Sequence, residues 1–315
     1  MKVVALAGGV GGAKLADGLA RILSPQDLTI IVNTGDDFEH WGLNVCPDLD
    51  SVCYMLAGFN NTVTGWGRAD ESWNAFEEIK KLGGDDWFRI GDKDLATHLM
   101  RSGRLRQGVR LSQVTAELCN RWQIRPAVLP MTDDPVYTWV QTVEHGLLPF
   151  QQYFVQHGCR PRVSGFEFRG AQDSKPAPGV IMAIDEADMI AVCPSNPMVS
   201  IGPILAVPGI LDALRRKKWV VAVSPLINGK AVKGPAAKMY EELGMQPSSL
   251  EVAKHYRGWV HHIFIDAVDQ DLAGSIRALG LDVSVGNIMM SAAEDRIRLA
   301  ELVLNTVPNT LSGLS

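Results

Sequence analysis

At 315 residues the chain is long enough for one large domain or two modest ones, either with a substantial buried core. Its 46% hydrophobic and 21% charged residues are ordinary for a globular protein, and a net charge of −5 lacks the basic face that a nucleic-acid binder needs. Five cysteines (46, 53, 119, 159, 193), odd in number and without zinc spacing, fit a reduced, cytoplasmic chain better than a disulfide framework, and no apolar stretch approaches the length of a membrane span.

The N-terminus, MKVVALAGGVGGAK, has the apolar look of a leader. Its run is short, however, breaks into glycines, and meets Lys14 and Asp17 at once. Residues 3–7 therefore read as a buried strand, and Leu15, Leu19 and Ile22 recur behind it at helical spacing. LTIIV (28–32) is a second apolar strand ending at Asn33-Thr34-Gly35, which completes a βαβ unit. Residues 49–57, 71–82, 93–102 and 112–122 predict helices, and 127–131 another strand. From about 136 to 168 the pattern turns to alternation in YTWVQTV, FQQYFVQ and RVSGFEF, which predicts antiparallel strands. Strands at 189–193, 219–223 and 260–265 then restore the α/β rhythm, and 291–306 predicts a closing amphipathic helix. The expected fold is a doubly wound, mostly parallel α/β sheet. Residues 1–135 and 186–315 form its core, with a small, mostly β subdomain inserted at 136–185.

The predicted strands end in small polar or acidic clusters: GGVGG, NTGDD, MTDD, PSNP and SPLI. Ligands of open α/β sheets bind beyond the carboxyl ends of the strands, so these segments point at one crevice. GGVGGAK (8–14) lets backbone N–H groups and a helix N-terminus approach a phosphate or carboxylate. It lacks the Gly-Lys-Ser/Thr ending of a Walker A loop and the third glycine of G-x-G-x-x-G, and the plain alternative is a tight strand-to-helix turn. NTGDDFEHWG and PDLD supply the hard oxygens that magnesium prefers, with Asp48 alternatively capping the helix near Leu49. His40 reads as a structural donor, because no second histidine stands at ligand spacing. In IGDKDLATHLMR, Asp92 is an N-cap candidate, while Lys93 or Arg101 is placed to reach an anionic or carbonyl group. PSNPMVSIGPIL and SPLINGKAVKGPAAK offer turn donors for phosphates or a ribose. No Gly-x-Ser-x-Gly elbow and no Cys–His motif suggests covalent catalysis.

Together, GGVGGAK, NTGDDFEHWGL, CPDLDSVCYMLAG, GWG, GDKDLATH, LPMTDDPVYT, PSNPMVSIGPILAVPGI and SPLINGKAVKGPAAKM resemble, in order and over nearly the whole chain, the 2-phospho-L-lactate transferase family. The resemblance implies a Rossmann-like fold, a homodimer and a magnesium-dependent step of coenzyme F-420 biosynthesis. In that step a guanosine diphosphate ester of 2-phospholactate or phosphoenolpyruvate gives its substituted phosphate to the ribityl hydroxyl of the deazaflavin Fo, and GMP leaves.

Carried over by position, Asp50 and Lys93 match residues that contact the deazaflavin, with His98 beside them. Asp37 and Asp48 fall in the acidic motifs assigned to magnesium, and Asp37 or Asp50 would orient or deprotonate the attacking hydroxyl. Gly9, Gly11, Gly12, Lys14, Ser195, Asn196, Ser200 and Gly234 would hold the guanosine diphosphate. Lys93 stands where the family commonly has arginine, which turns a planar contact into a point charge. Gln152 stands where relatives often carry an acid. A related branch of the same fold shares the glycine loop and acidic motif but binds nucleotide sugars as a regulator. GWG and GDKDLATH favour the transferase. A nicotinamide-dependent oxidoreductase rests on the first βαβ unit alone.

Overall fold

The computed structural model describes residues 1–307. Its first strand, β1 (Val3–Ala7), is apolar and buried throughout, as a strand covered on both faces must be. Gly8 alone separates it from α1 (Gly9–Ile22), and β2 (Leu28–Val32) returns parallel to β1. The acidic stretch then folds into a hairpin, β3 (Phe38–His40) and β4 (Leu43–Val45). Its two turn residues, Trp41 and Gly42, have φ of 52° and 72°, the positive pair that a tight hairpin requires. Helices α2 (Pro47–Leu56), α3 (Asn74–Lys81), α4 (Asp92–Arg106) and α5 (Leu111–Arg121) follow, before β5 (Ala127–Pro130) pairs in parallel with β2.

The inserted segment forms its own antiparallel sheet from β6 (Tyr137–Thr142), β7 (Gly146–Pro149) and β8 (Val163–Arg169), in the order β7-β6-β8. FQQYFVQ is not one of these strands. Residues Gln152–Gln156 wind as a π-helical turn that buries Tyr153, with Phe150 buried just before it at i, i+3 spacing, and leaves Phe154 outside. Gly146–Pro149 pairs with β6 in its place.

The α/β rhythm resumes with α6 (Val180–Glu186), β9 (Met189–Val192), a π turn at Pro197–Ile201, α7 (Gly202–Ala206), α8 (Ile210–Arg215) and β10 (Val220–Val223). A small hairpin, β11 (Leu226–Ile227) and β12 (Lys230–Ala231), precedes α9 (Ala236–Glu242), α10 (Ser249–Tyr256) and β13 (His262–Asp266). The described chain closes with α11 (Ala273–Arg277), β14 (Asp282–Gly286) and α12 (Ala293–Leu304).

Seven parallel strands form the main sheet in the order β14-β13-β10-β9-β1-β2-β5. The chain builds outward from β1 to β5 on one side and from β9 to β14 on the other. This is a doubly wound, Rossmann-like sheet whose order reverses between β1 and β9. Alternate residues of β1 enter two cores. Val3 and Ala5 meet Leu15, Leu19, Leu49 and Leu299 on one face, whereas Val4 and Leu6 meet Ile184, Ile204 and Ile210 on the other. Val140, Tyr153 and Val163 of the insertion belong to that second core.

Candidate active site

The carboxyl ends of β1, β2 and β9 converge at the switch point. There the turn after β1 and the loop after β9 lie in backbone contact. The Gly8 N–H donates to Ser195 Oγ at 3.0 Å, and the Ser195 hydroxyl donates to the Gly8 carbonyl at 2.9 Å. A Cβ on Gly11 would stand 2.3 Å from the Pro194 carbonyl oxygen, and one on Gly12 2.6 Å from Ser195 Oγ. These glycines are therefore required by packing. Ser200, also buried, leaves no room for a Cβ on Gly8.

Asp48 does not cap its own helix. Its Oδ1 accepts the Gly9 N–H at 2.7 Å, at the N-terminus of α1, and its Oδ2 accepts Asn33 Nδ2 at 2.9 Å. Asn33 also donates to the Val199 carbonyl at 3.3 Å and accepts the Gly35 N–H at 2.8 Å. One side chain at the end of β2 thus ties together the glycine turn, the acidic loop and the loop after β9. Nothing in the sequence around Asn33 marks it beyond its place at a strand end.

Beside Asp48, Oδ1 of Asp36 and Oδ1 of Asp37 are buried without a hydrogen-bond partner among the described residues. Burial, then the neighbouring Asp48, pushes the Asp36 carboxyl well above the usual range. Burial likewise raises Asp37, against the opposing effects of a Cys46 hydrogen bond and the Arg101 charge. Burial lifts Asp48 to about 6 although its bonds from Asn33 and Gly9 oppose it. Asp36 and Asp37 each keep an orphaned oxygen beside Asp48, hard donors of the kind magnesium prefers, so these residues fit the ion by their chemistry, although their ligand atoms are not gathered within 4.8 Å of one another.

A second cluster joins α2 to α4. Buried Arg101 donates to both oxygens of Asp50, from Nη1 at 3.0 Å and from Nη2. His98, 1% exposed, faces Asp50 Oδ2 through Nδ1 at 3.7 Å and Asp94 Oδ1 through Nε2 at 3.4 Å. The Tyr54 hydroxyl donates to Asp94 Oδ1 at 2.6 Å. Ligand atoms of Asp50, Asp94 and His98 lie within 4.8 Å of one another, a geometry that could hold a metal ion. Arg101, however, already supplies the positive charge there. Burial alone would lower its pKa, but Asp50 and, behind it, Cys46 and Tyr54 together outweigh burial and hold the guanidinium well above its ordinary value.

Other expected residues fall elsewhere. Lys93 is exposed and reaches the Ala69 carbonyl at 3.3 Å, while its own N–H and that of Asp94 are taken by Glu71 at 2.7 and 2.8 Å. Asp92 is the first residue of α4, not its N-cap. Its carboxylate accepts the Asn74 and Ala75 N–H groups at 3.1 and 3.0 Å and so caps α3. Lys14 Nζ donates to the Met290 carbonyl at 2.6 Å, and burial, then Lys233 and Arg296, lowers its pKa. Asn196 caps the π turn through Met198 N–H at 3.0 Å, and Gly234 sits at φ 76° in an open loop. His40 is buried in an aromatic cluster with Trp41, Trp87 and Phe88. Tyr137, where the insertion begins, stands near enough for Asp37 and Glu39, after burial, to raise its hydroxyl pKa.

Fold and site define a doubly wound α/β protein whose switch-point crevice sets a glycine turn against clustered carboxylates. The family described as 2-phospho-L-lactate transferase CofD matches residues 3–278, and the chain belongs to that family. A phosphoenolpyruvate transferase of Kitasatospora aureofaciens is 44% identical, the match covering 96% of this chain and 97% of that protein. A 2-phospho-L-lactate transferase of Methanosarcina mazei is 36% identical over 96% of this chain and 99% of its own. A crystal structure of a UPF0052-family protein from Bacillus halodurans matches with a TM-score of 0.62 at 15% identity, over 96% of this chain and 98% of that one. That likeness concerns the fold alone. Among the described residues, no helix is long and apolar enough to cross a membrane.

Proposed function

We propose that the chain transfers an enolpyruvyl-phosphate group, or its 2-phospholactyl counterpart, from a guanosine diphosphate ester to the ribityl hydroxyl of the deazaflavin Fo, releasing GMP in coenzyme F-420 biosynthesis. The observation that carries this reading is the set of three buried carboxyl groups with raised pKa, Asp36, Asp37 and Asp48, beside the glycine turn in a chain of this transferase family. Relatives 40–44% identical are named phosphoenolpyruvate transferases, against 36% for those named 2-phospho-L-lactate transferases, which favours the enolpyruvyl donor. A homodimer belongs to the same reading.

Asp48 and Asp36 would hold magnesium, with Asp37 beside them; when bound, the metal offsets the charge of the diphosphate. The Gly8–Gly12 turn and the Ser195–Ser200 loop bind that diphosphate. Asp37 is the base of choice, since its raised pKa makes it a better proton acceptor than an ordinary carboxylate. It takes the hydroxyl proton as the ribityl oxygen bonds to phosphorus and the bond to GMP breaks. Asp50, with both oxygens bonded by Arg101, orients the hydroxyl instead.

The test is incubation with Fo, magnesium and each guanosine diphosphate ester, with mass spectrometry of the product. GMP and an enolpyruvyl-phosphate adduct of Fo are expected, and Asp37→Asn should lower kcat by about 10²–10⁴ with the fold intact. No adduct with either donor, together with stabilisation by a nucleotide sugar, would move the chain to the regulatory reading.

A further inference from the structure

The geometry points to Arg101 as a positioning residue, which fixes the Asp50 carboxylate in one orientation so that its free lone pairs meet the hydroxyl of the acceptor. This rests on the reading of Asp50 as an acceptor contact. Arg101 is 3% exposed, yet it makes no contact with the glycine turn; its polar partners are Asp50, His98 and the Asn44 carbonyl, the last at 3.3 Å. A guanidinium fork on a carboxylate sets its plane as well as its charge. Each carboxylate oxygen has two acceptor sites, so the fork leaves room for a hydroxyl donor.

The rest of the cluster makes the arrangement a latch. Asp94, His98 and Arg101 follow at i, i+4 and i+7 on one face of α4, opposite Asp50 and Tyr54, which stand one turn apart on α2. His98 Nδ1 touches Arg101 Nη1 at 3.2 Å, and its Nε2, without a hydrogen bond among the described residues, faces the oxygen of Asp94 that Tyr54 already holds. The Asp94 backbone N–H is pinned in turn by Glu71. Apart from the Asn44 carbonyl on β4, the polar contacts of Arg101 therefore bear on the placement of α2, the helix that carries both Asp48 and Asp50. Lysine, a point charge, would reach one oxygen and lose the plane.

The experiment compares Arg101→Met, Arg101→Lys, Asp50→Asn and the double variant D50N/R101M. GMP release is followed with Fo and the donor varied separately, alongside thermal melts. Arg101→Met should raise the KM for Fo by about tenfold or more and leave the donor KM within about twofold, with Arg101→Lys recovering part of the loss. The double variant should be no worse than Asp50→Asn alone, because Arg101 acts only through Asp50. Should Arg101→Met fail to fold because it strands a buried charge, the double variant, which has neither charge, still gives that comparison. Parallel shifts of both KM values, or losses that add in the double variant, overturn the inference alone. A wild-type chain that releases no GMP with Fo removes the functional reading and this inference with it.

Discussion

Asp36, Asp37 and Asp48 are held where ionisation is disfavoured, and this has a measurable sign. A carboxyl whose pKa is higher in the folded than in the unfolded chain binds more protons when folded. Stability therefore falls as pH rises from the ordinary carboxyl value near 4 through the folded value, about 6 for Asp48. For Asp48 alone the difference is roughly 3 kcal/mol, and Asp36 and Asp37 shift in the same direction. Asp92 acts oppositely and at lower pH. Ser72 and the Ala75 N–H hold its carboxyl down to about 2, so its contribution is present above pH 4 and is lost as pH falls toward 2. The metal-free protein should accordingly melt at higher temperature at pH 5 than at pH 7. Asp36→Asn should flatten that difference, and millimolar magnesium should restore the melting temperature at pH 7. A melting temperature that rises steadily from pH 5 to pH 7 without metal would contradict the carboxylate cluster.

Among the elements, α1 and the turn before it show how a motif that the proposed function uses for binding is already required by packing. Gly11 lies against the Pro194 carbonyl, so a methyl group there must push backbone apart. Gly11→Ala should cost about 1–3 kcal/mol in denaturant unfolding, as overpacking does, and weaken guanosine diphosphate binding with it. Gly234→Ala meets nothing within 4 Å and should cost only the strain of its φ of 76°, about 1 kcal/mol. The β1–α1–β2 unit was legible because its signals are local: an apolar run, glycines, then helical spacing. FQQYFVQ misled because its aromatics fit alternation as well as they fit i, i+3 spacing, and only burial decides between them. β14 escaped because it is a half-exposed edge strand with little pattern. In the site, the acidic loop was visible as composition. The partners of its residues were not: Arg101 lies 51 residues from Asp50, and Ser195 lies 187 from Gly8. Asn33 carries no charge to draw notice, and Asp92 looked like the cap of α4 because its true partners, Asn74 and Ala75, begin another helix.

At the scale of the molecule, the insertion and the parallel sheet share one hydrophobic core. Val140, Tyr153 and Val163 share a core with Ile31, Met131 and Ile190, and the Thr138 N–H bonds the Gly35 carbonyl at 2.6 Å, directly beside the acidic loop. An insertion that folded independently would bury its apolar residues against itself. This one completes the face of the sheet that α6 and α8 also cover, and its first residues, Tyr137 and Thr138, help to shape the crevice. Tyr153→Ala, which removes a fully buried ring from that shared core, should therefore destabilise the whole chain by about 3–5 kcal/mol. The loss should appear as one earlier transition, with tryptophan fluorescence and far-ultraviolet dichroism melting together. Guanosine diphosphate with magnesium at about 100 times its Kd should move both probes upward by the same amount, near 2.7 kcal/mol of stabilisation in the wild type. An insertion that melts first, with the sheet still folded and still binding nucleotide, would mean that the crevice does not depend on it, and that Thr138 and Tyr137 only lie beside the site.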